Sequence, residues 1–283
     1  MAKHWLITGV SSGLGRLLAT KALARGDSVV GMSRSADALP DLRSRHADRL
    51  RIVAADLADQ AAVRRAVDDA FAASGRIDVV VSNAGYGLLG AGEEASDRQV
   101  RDIVDVNLIG SIALIRAALP HLRRQGGGRI QQVSSEGGQI AYPAFGLYHA
   151  TKWGIEGFVE AVAQEVAPFG IALTLVEPGP ARTDFGGNLA RTTPLPAYEA
   201  TPAGQLRRSL EGEWVIKGDP DRMTDAMIRL ADQDAPLPKR LVLGADAYTH
   251  VHDALKARLD ELERQQAIAL AADFTADELA TLP

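Results

Sequence analysis

Cysteine is absent from the 283 residues, which excludes disulfides, thiolate metal sites and a cysteine nucleophile together. Aromatic side chains make up only 5% of the chain, so its core has to be built from aliphatic ones. There is no long basic run: a net charge of −5 is spread along the chain, leaving no electrostatic footprint for nucleic acid or an anionic membrane. No window reaches the roughly 18 uninterrupted apolar residues of a membrane span. The opening Met1-Ala2-Lys3-His4 runs into Trp5-Leu6-Ile7-Thr8-Gly9, too short an apolar stretch for a secretory signal. His250-Val251-His252 and the isolated His4, His46, His121 and His149 lack the spacing of a zinc site. The expectation from these absences is small-molecule chemistry in the cytoplasm, with no metal, no nucleic acid and no membrane, and with solvated or capping roles for the histidines.

What is present is a 46% hydrophobic chain with 27 glycines, near the upper size of one α/β domain. Short apolar runs at 5–8, 28–32, 51–54, 79–82, 129–133, 172–176 and 241–243 read as buried strands. Segments of helical period separate them: Leu14, Leu17, Leu18 and Ala22 form one stripe, and Val63, Ala66, Val67 and Ala70 another. This alternation predicts an α/β fold of Rossmann type, doubly wound. Its seven-stranded parallel sheet is flanked by helices on both faces, and residues 1–283 form one domain. The rhythm breaks at 184–220, rich in proline and glycine, with a weak helical stretch only at 203–210. That length of irregular chain after the sixth strand predicts a substrate lid. A charged amphipathic helix follows from 247, with a polar tail to 283.

Thr8-Gly9-Val10-Ser11-Ser12-Gly13-Leu14-Gly15 lies where the first strand meets the first helix. There Gly9 permits a tight turn, Gly13 lets backbone approach a pyrophosphate and Gly15 allows close helix packing, while free N–H groups attract the anion. The second strand ends in Ser33-Arg34 without the carboxylate that would meet a ribose hydroxyl. Arg34 offers a bidentate partner and Ser33 a donor for a 2′-phosphate, so NADP(H) is preferred and NAD(H) remains possible.

Tyr148 and Lys152 stand four residues apart at the start of a helical segment striped with Ile155, Phe158, Val159, Val162 and Val166. A neighbouring ammonium favours phenolate, so Lys152 is expected to lower the Tyr148 pKa toward the range of a general acid and base.

Over roughly the first 185 residues these elements resemble the classical short-chain dehydrogenases/reductases. The turn Thr8 to Gly15 is similar to the family's cofactor turn, and Asp56 with Leu57 to its adenine contact. Asn83-Ala84-Gly85 is similar to its sheet-stabilising turn, Asn107 to its helix asparagine, and Ser135 with Tyr148 and Lys152 to its active set. Pro178-Gly179 with Thr183 resembles its nicotinamide-side loop. The resemblance implies hydride transfer between NADP(H) and a carbonyl or alcohol carbon. It also implies Tyr148 as acid and base, Lys152 on the nicotinamide ribose, Ser135 on the substrate oxygen and Asn107 positioning a relay water. Ser134 is left to cap or pack. Two departures stand out: Ser12 occupies a place where NADP-preferring members often carry a base, and the longer C-terminal third resembles the branch related to 17β-hydroxysteroid dehydrogenases.

Residues 141–147 and 184–220 are expected to wall the substrate pocket, with Tyr142, Phe145, Phe185, Leu189 and Trp214 as apolar candidates. A small-molecule carbonyl or alcohol is the expected partner, and the family's habit implies a homodimer or homotetramer. The charged helix near 255–264 reads either as a subunit contact or as a solvated face, and Arg123-Arg124 as a complement to a helix dipole. A non-catalytic dinucleotide-binding redox sensor is the alternative function, since a fold does not dictate an activity.

Overall fold

Aliphatic runs this short can bury both faces only inside a sheet covered on each side, and all seven are found there. A computed structural model of the chain describes residues 2–212, 215–234 and 236–280. Its main sheet consists of β1 (His4–Thr8), β2 (Ser28–Ser33), β3 (Leu50–Ala54), β4 (Val79–Ser82), β6 (Gly128–Val133), β7 (Ile171–Pro178) and β9 (Arg240–Leu243). These pair in parallel in the order β3-β2-β1-β4-β6-β7-β9. A two-residue pair, β5 (Leu88–Leu89) with β8 (Ala190–Arg191), lies outside it. Neither was legible as a strand, because two residues carry no periodicity.

The chain runs outward from β1 to β3 and then returns to lay β4 against the other side of β1, with Ile7 opposite Val81. The reversal opens a crevice at the carboxyl ends of β1 and β4, where ligands bind in such sheets. On one face, α3 (Gln60–Ser74), α5 (Gly110–Arg124) and α6 (Gly146–Val166) bury Val63, Val67, Leu114, Ile115, Ile155 and Val159 against Leu6, Val80 and Ile130. On the other, α1 (Gly13–Ala24), α2 (Pro40–Arg45) and α8 (Pro220–Asp232) bury Leu18, Leu23, Leu42, Met227 and Leu230 against Trp5, Ile7 and Val79. Each such side chain stabilises the fold by roughly 1.5–3 kcal/mol.

Helix α4 (Asp97–Val104) continues through a π turn at Asp105–Ile109 into α5. By length and composition this run, Asp97–Arg124, could cross a membrane, with a mean hydropathy of 1.6 over 18 of its residues. Asp105 and Arg116 interrupt it, and Ile103, Leu114, Ala118 and Leu122 are buried in the fold. Burial of one whole stripe accounts for its apolar composition.

The insertion after β7, the sixth strand of the main sheet, is more ordered than its sequence implied. Helix α7 (Pro202–Glu211) occupies the weak helical stretch, and β8 ties the segment to β5. Beneath them, the buried Glu94 carboxylate accepts from the N–H groups of Ala91 and Leu195, from the Thr192 hydroxyl and from both bonds of Arg207 at 2.9 and 2.8 Å. Burial alone would raise its pKa, but these donors outweigh it and hold the carboxyl at about 2. Trp214, expected as a pocket wall, lies outside the described residues.

Candidate active site

The glycine turn meets the crevice with conformations only glycine adopts readily: Gly9 has φ 70° and Gly13 φ 54°. A methyl on Gly9 would stand 2.9 Å from the Ala84 Cα, and one on Gly15 only 2.4 Å from the Gly9 carbonyl oxygen. Ser12 precedes α1 without a side-chain cap, so the amide end of that helix is left open. Thr183 closes over it, its Cβ 3.8 Å from where a Gly13 methyl would be. A bare helix N-terminus under a methyl-free cradle fits a pyrophosphate.

Around this turn, the expected residues take structural positions that hold the crevice open. Asn83 donates through Nδ2 to the Thr8 carbonyl at 2.9 Å, and the Thr8 hydroxyl accepts from the N–H groups of Asn83 and Ala84. Gly85 leaves room for two groups at once, since a methyl there would lie 3.1 Å from Asn107 Oδ1 and 3.9 Å from Lys152 Nζ. Arg34 is exposed and forms no ion pair or hydrogen bond among the described residues. Ser33 Oγ beside it accepts a weak 3.4 Å bond from the Ser35 amide. Asp56 is exposed and accepts from the Ala58 N–H, while Leu57 is buried. Pro178 ends β7, and the Gly179 amide donates to the Leu243 carbonyl.

Ser135, Tyr148 and Lys152 converge beside that crevice. Ser135 caps a short turn, Glu136–Gly138, accepting the Gly137 N–H at 3.1 Å, and its hydroxyl stands near enough to the Tyr148 phenol to lower that group's pKa. Lys152, one turn along α6, donates to the Val133 carbonyl at 3.1 Å and lies 5.6 Å from the Tyr148 ring centroid. Burial pulls Lys152 down to about 8, against the opposing charge of Glu156. The expected lowering of the phenol is not what this geometry yields. Burial pushes Tyr148 up to about 12; the nearby Ser135 hydroxyl lowers it and the charge of Glu136 raises it further. Desolvation outweighs an ammonium that is committed to a carbonyl.

Asn107 sits in the π turn, a deviation that recurs at functional sites. Its side chain clamps the Tyr86 backbone, accepting the N–H at 3.0 Å and donating to the carbonyl at 2.8 Å, and Nδ2 reaches Thr151 Oγ1 at 3.4 Å. The pocket side carries Phe185 and Phe145, with ring centroids 6.0 and 6.2 Å from that of Tyr148. Leu189 and Phe185 both rest against Gly87, where a methyl would meet Leu189 at 2.4 Å. Tyr142 stands apart from this set. Its hydroxyl donates to Glu136 Oε1 at 2.7 Å and meets His250 Nδ1 at 3.2 Å, and burial first, then Glu136, raises its pKa. The expected contribution of Tyr142 to a substrate wall is therefore restricted to its ring.

Several groups have partners that no local spacing in the sequence marks. His149 is not solvated: it is buried, donating through Nδ1 to the Gly137 carbonyl and accepting the Tyr142 N–H at Nε2, both at 2.8 Å. The Nε2 role fixes the neutral tautomer with the proton on Nδ1. His250 reaches Glu136 at 3.0 Å, His121 pairs with Asp68, and Arg123 lies over the Phe169 ring rather than only at a helix end. Ser134 does pack as expected, donating to Glu156 at 2.5 Å.

Behind Ser134, Arg240 bridges Glu156, Glu160 and the fully buried Glu177. Burial and the charge of Glu156 raise Glu177 from 4.5 to about 7, against the pull of Arg240 and Gln139. A carboxyl raised in the folded state contributes stability below its unfolded pKa and loses it as pH rises through the folded one. Wild-type stability is therefore expected to decline between about pH 4.5 and 7 from this group. In Glu177→Gln that decline should vanish, leaving the variant the more stable by on the order of 2 kcal/mol at pH 8 in urea titrations. Parallel pH curves for the two proteins would contradict it.

Residues 3–194 match the family profile described as short chain dehydrogenase. The chain is 37% identical over 276 residues to the oxidoreductase BOA17 of Botryotinia fuckeliana, covering 96% of this chain and 99% of that one. It is 34% identical to human 17-beta-hydroxysteroid dehydrogenase type 1, over 64% of this chain and 57% of the relative. A short-chain dehydrogenase from Streptomyces avermitilis superimposes with a TM-score of 0.89 at 38% identity, covering 96% of this chain and 100% of its own.

Proposed function

The chain belongs to the short-chain dehydrogenase family, and from that premise we propose that it is an NADP(H)-dependent oxidoreductase interconverting a carbonyl and a secondary alcohol, with Tyr148 as general acid and base. The observation that carries this reading is the placing of Ser135 by the Tyr148 phenol with Lys152 one turn along α6, at a crevice whose helix end is open to a pyrophosphate. When bound, the dinucleotide supplies or takes up the hydride. Gly9, Ser11, Ser12, Gly13, Leu14 and Gly15 would hold its pyrophosphate, Asp56 and Leu57 its adenine end, and Thr183 with Pro178 and Gly179 its nicotinamide side.

Tyr148 is the acid in preference to Tyr142, whose hydroxyl is engaged by Glu136 and His250. Ser135 donates to the substrate oxygen and steadies the charge that develops on it. A phenol held up at about 12 keeps its proton at neutral pH and can give it to that oxygen when a carbonyl is reduced. Lys152 and Asn107 hold the supply of the next proton, Asn107 by anchoring the loop at Tyr86 and orienting a water.

Arg34 is the one cation we assign to a 2′-phosphate, with Ser33 beside it, because Ser12 offers no charge. Arg34→Ala should raise KM for NADPH about tenfold and leave KM for NADH within about twofold. Equal changes for the two cofactors would remove Arg34 from this role.

The walls Phe145, Phe185 and Leu189 fit a bulky apolar carbonyl, and the 34% identity to human 17-beta-hydroxysteroid dehydrogenase type 1 over 64% of this chain supports placing it near that branch. We further read residues 1–283 as one domain, cytoplasmic, and assembled as a homodimer or homotetramer, the last to be checked by light scattering. The functional test is a screen of ketones, aldehydes and secondary alcohols with both cofactors. Turnover of an apolar ketone with NADPH is the expected result. Tight NADPH binding with no turnover of any carbonyl would instead mark a redox sensor.

A further inference from the structure

His149 follows Tyr148 in the first turn of α6, and its buried ring grips the loop that runs from Ser135 to Phe145 at two points. Nδ1 donates to the Gly137 carbonyl and Nε2 accepts the Tyr142 N–H, each at 2.8 Å. Its own N–H donates to the Phe145 carbonyl at 2.9 Å. Gly137 is also what seats the serine, since its N–H donates to Ser135 Oγ at 3.1 Å. That bond takes up a lone pair of the hydroxyl and leaves its hydrogen to be donated to a substrate oxygen. The contact is close on both sides: a methyl on Gly137 would stand 2.7 Å from His149 Nδ1 and 3.4 Å from Ser135 Oγ. Farther along the loop Ala144 has φ 61°, a conformation that persists in a non-glycine residue where its surroundings hold it, and the Gly90 N–H does so at the Ala144 carbonyl, 2.8 Å away.

We propose that His149 is a positioning residue with two separable tasks: through Nδ1 it seats Gly137, and with it the Ser135 hydroxyl, beside Tyr148, and through Nε2 it fixes Tyr142 as a wall of the substrate pocket. The inference rests on the reading of Ser135 and Tyr148 as the groups that meet the substrate oxygen. A rigid ring sets the spacing between its two nitrogens, so the serine turn and the pocket wall are both referenced to the helix turn that carries the acid. The two contacts need one donor and one acceptor, which the neutral ring with its proton on Nδ1 supplies. Burial lowers the His149 pKa, against the pull of the Gly137 bond and of Glu136, so the ring stays neutral at pH 7. Helix α6 does not need either contact to hold its place, because Ile155, Val159, Val162 and Val166 bury it against the sheet. Tyr142 also keeps a second hold through its hydroxyl on Glu136, so loss of the Nε2 contact loosens the wall without releasing it.

Two variants take the tasks apart. The amide of His149→Asn reaches the place of Nδ1 and can still donate to Gly137, but leaves the Tyr142 N–H without an acceptor. The longer amide of His149→Gln reaches the place of Nε2 and can still accept from Tyr142, but gives up the Gly137 bond. Steady-state kinetics of the full-length protein with NADPH and its best apolar ketone are expected to split accordingly. In His149→Gln, kcat should fall about tenfold or more with KM little changed, because the serine is misplaced. In His149→Asn, KM should rise about fivefold with kcat little changed, the loss of one hydrogen bond at the wall. Parallel changes in both variants, or none in either, overturn the inference, since a residue that merely stabilises the fold has no reason to divide the two constants. The wild type gives a second reading that no folding defect can disturb: 15N NMR of its histidine side chains at pH 7.5 should show His149 protonated at Nδ1 and bare at Nε2. A proton on Nε2 there overturns the inference as well. Wild-type turnover with undivided losses sinks the role of His149 alone, whereas a wild type that reduces no carbonyl sinks the enzymatic reading and this role with it.

Discussion

Tyr148→Phe is expected to bind NADPH within about twofold of the wild type and to reduce its best carbonyl substrate about two or more orders of magnitude more slowly. The substitution removes one oxygen from a ring whose packing against Phe145 and Phe185 survives, so the pocket wall is preserved. What disappears is the proton donor beside Ser135. Ser135 itself stays seated through the Gly137 N–H, and Lys152 stays on the Val133 carbonyl. Residual activity would then come from Ser135 acting alone on the substrate oxygen. Because the loss falls on proton transfer, kcat should fall with little change in KM. A variant with unchanged kcat would show that the proton comes from elsewhere, and Tyr142 would be the first group to examine, since its hydroxyl lies near the same serine turn through Glu136.

The parts of this site that were legible in the sequence share one property: their chemistry is written in short local spacing. Gly9, Gly13 and Gly15 announce a turn because backbone geometry forbids other residues there, and Tyr148 and Lys152 announce a shared face because they are one helical turn apart. The seven strands were equally legible, since a strand buried on both faces must be a continuous apolar run. What failed was everything that depends on distance in the chain. Glu136 meets His250 across more than a hundred residues, and Arg240 meets Glu156 and Glu177 from the last strand of the sheet. No periodicity marks such pairs. Electrostatics failed for the same reason: the Tyr148–Lys152 spacing predicts a lowered phenol, but burial by Phe185 and the neighbouring turn comes from remote segments and outweighs it. The irregular 184–220 segment reads as a loose lid because its anchor, Glu94, lies far upstream and looks in the sequence like a surface acid.

That anchor should carry a large share of the insertion's stability, and Glu94→Ala is expected to destabilise it by roughly 3–5 kcal/mol. The Glu94 side chain is wholly buried and Arg207 nearly so, with only 10% of its side chain exposed. Losing the carboxylate strands a guanidinium whose remaining partner, Glu199, is half in solvent, and it also leaves the Ala91 and Leu195 amides without their acceptor. Each is a buried donor that has forfeited its bond. Where the destabilisation shows depends on what opens first. The β5–β8 pair and α7 are held to the sheet chiefly here, so the insertion should release before the main sheet unfolds. Limited proteolysis should then cut within 184–211 at rates far above wild type, while the thermal midpoint of the whole protein moves less than the local loss implies. Removing both charges in Glu94→Ala with Arg207→Met should recover part of the stability, since an unpaired buried cation costs more than an absent pair. Acid provides an independent check with a fixed sign. A carboxyl held down at about 2 from 4.5 contributes its stability above the ordinary range and loses it as pH falls toward 2. Wild-type cleavage in the insertion should accordingly rise below about pH 4.5, and Glu94→Ala should show no further rise from this group. Because Phe185 and Leu189 ride on the same segment beside Tyr148, KM for an apolar carbonyl should increase more than kcat falls. Wild-type protease resistance in Glu94→Ala would mean that the β5–β8 pair and the apolar contacts of Leu189 and Leu206 hold the insertion without the ion pair.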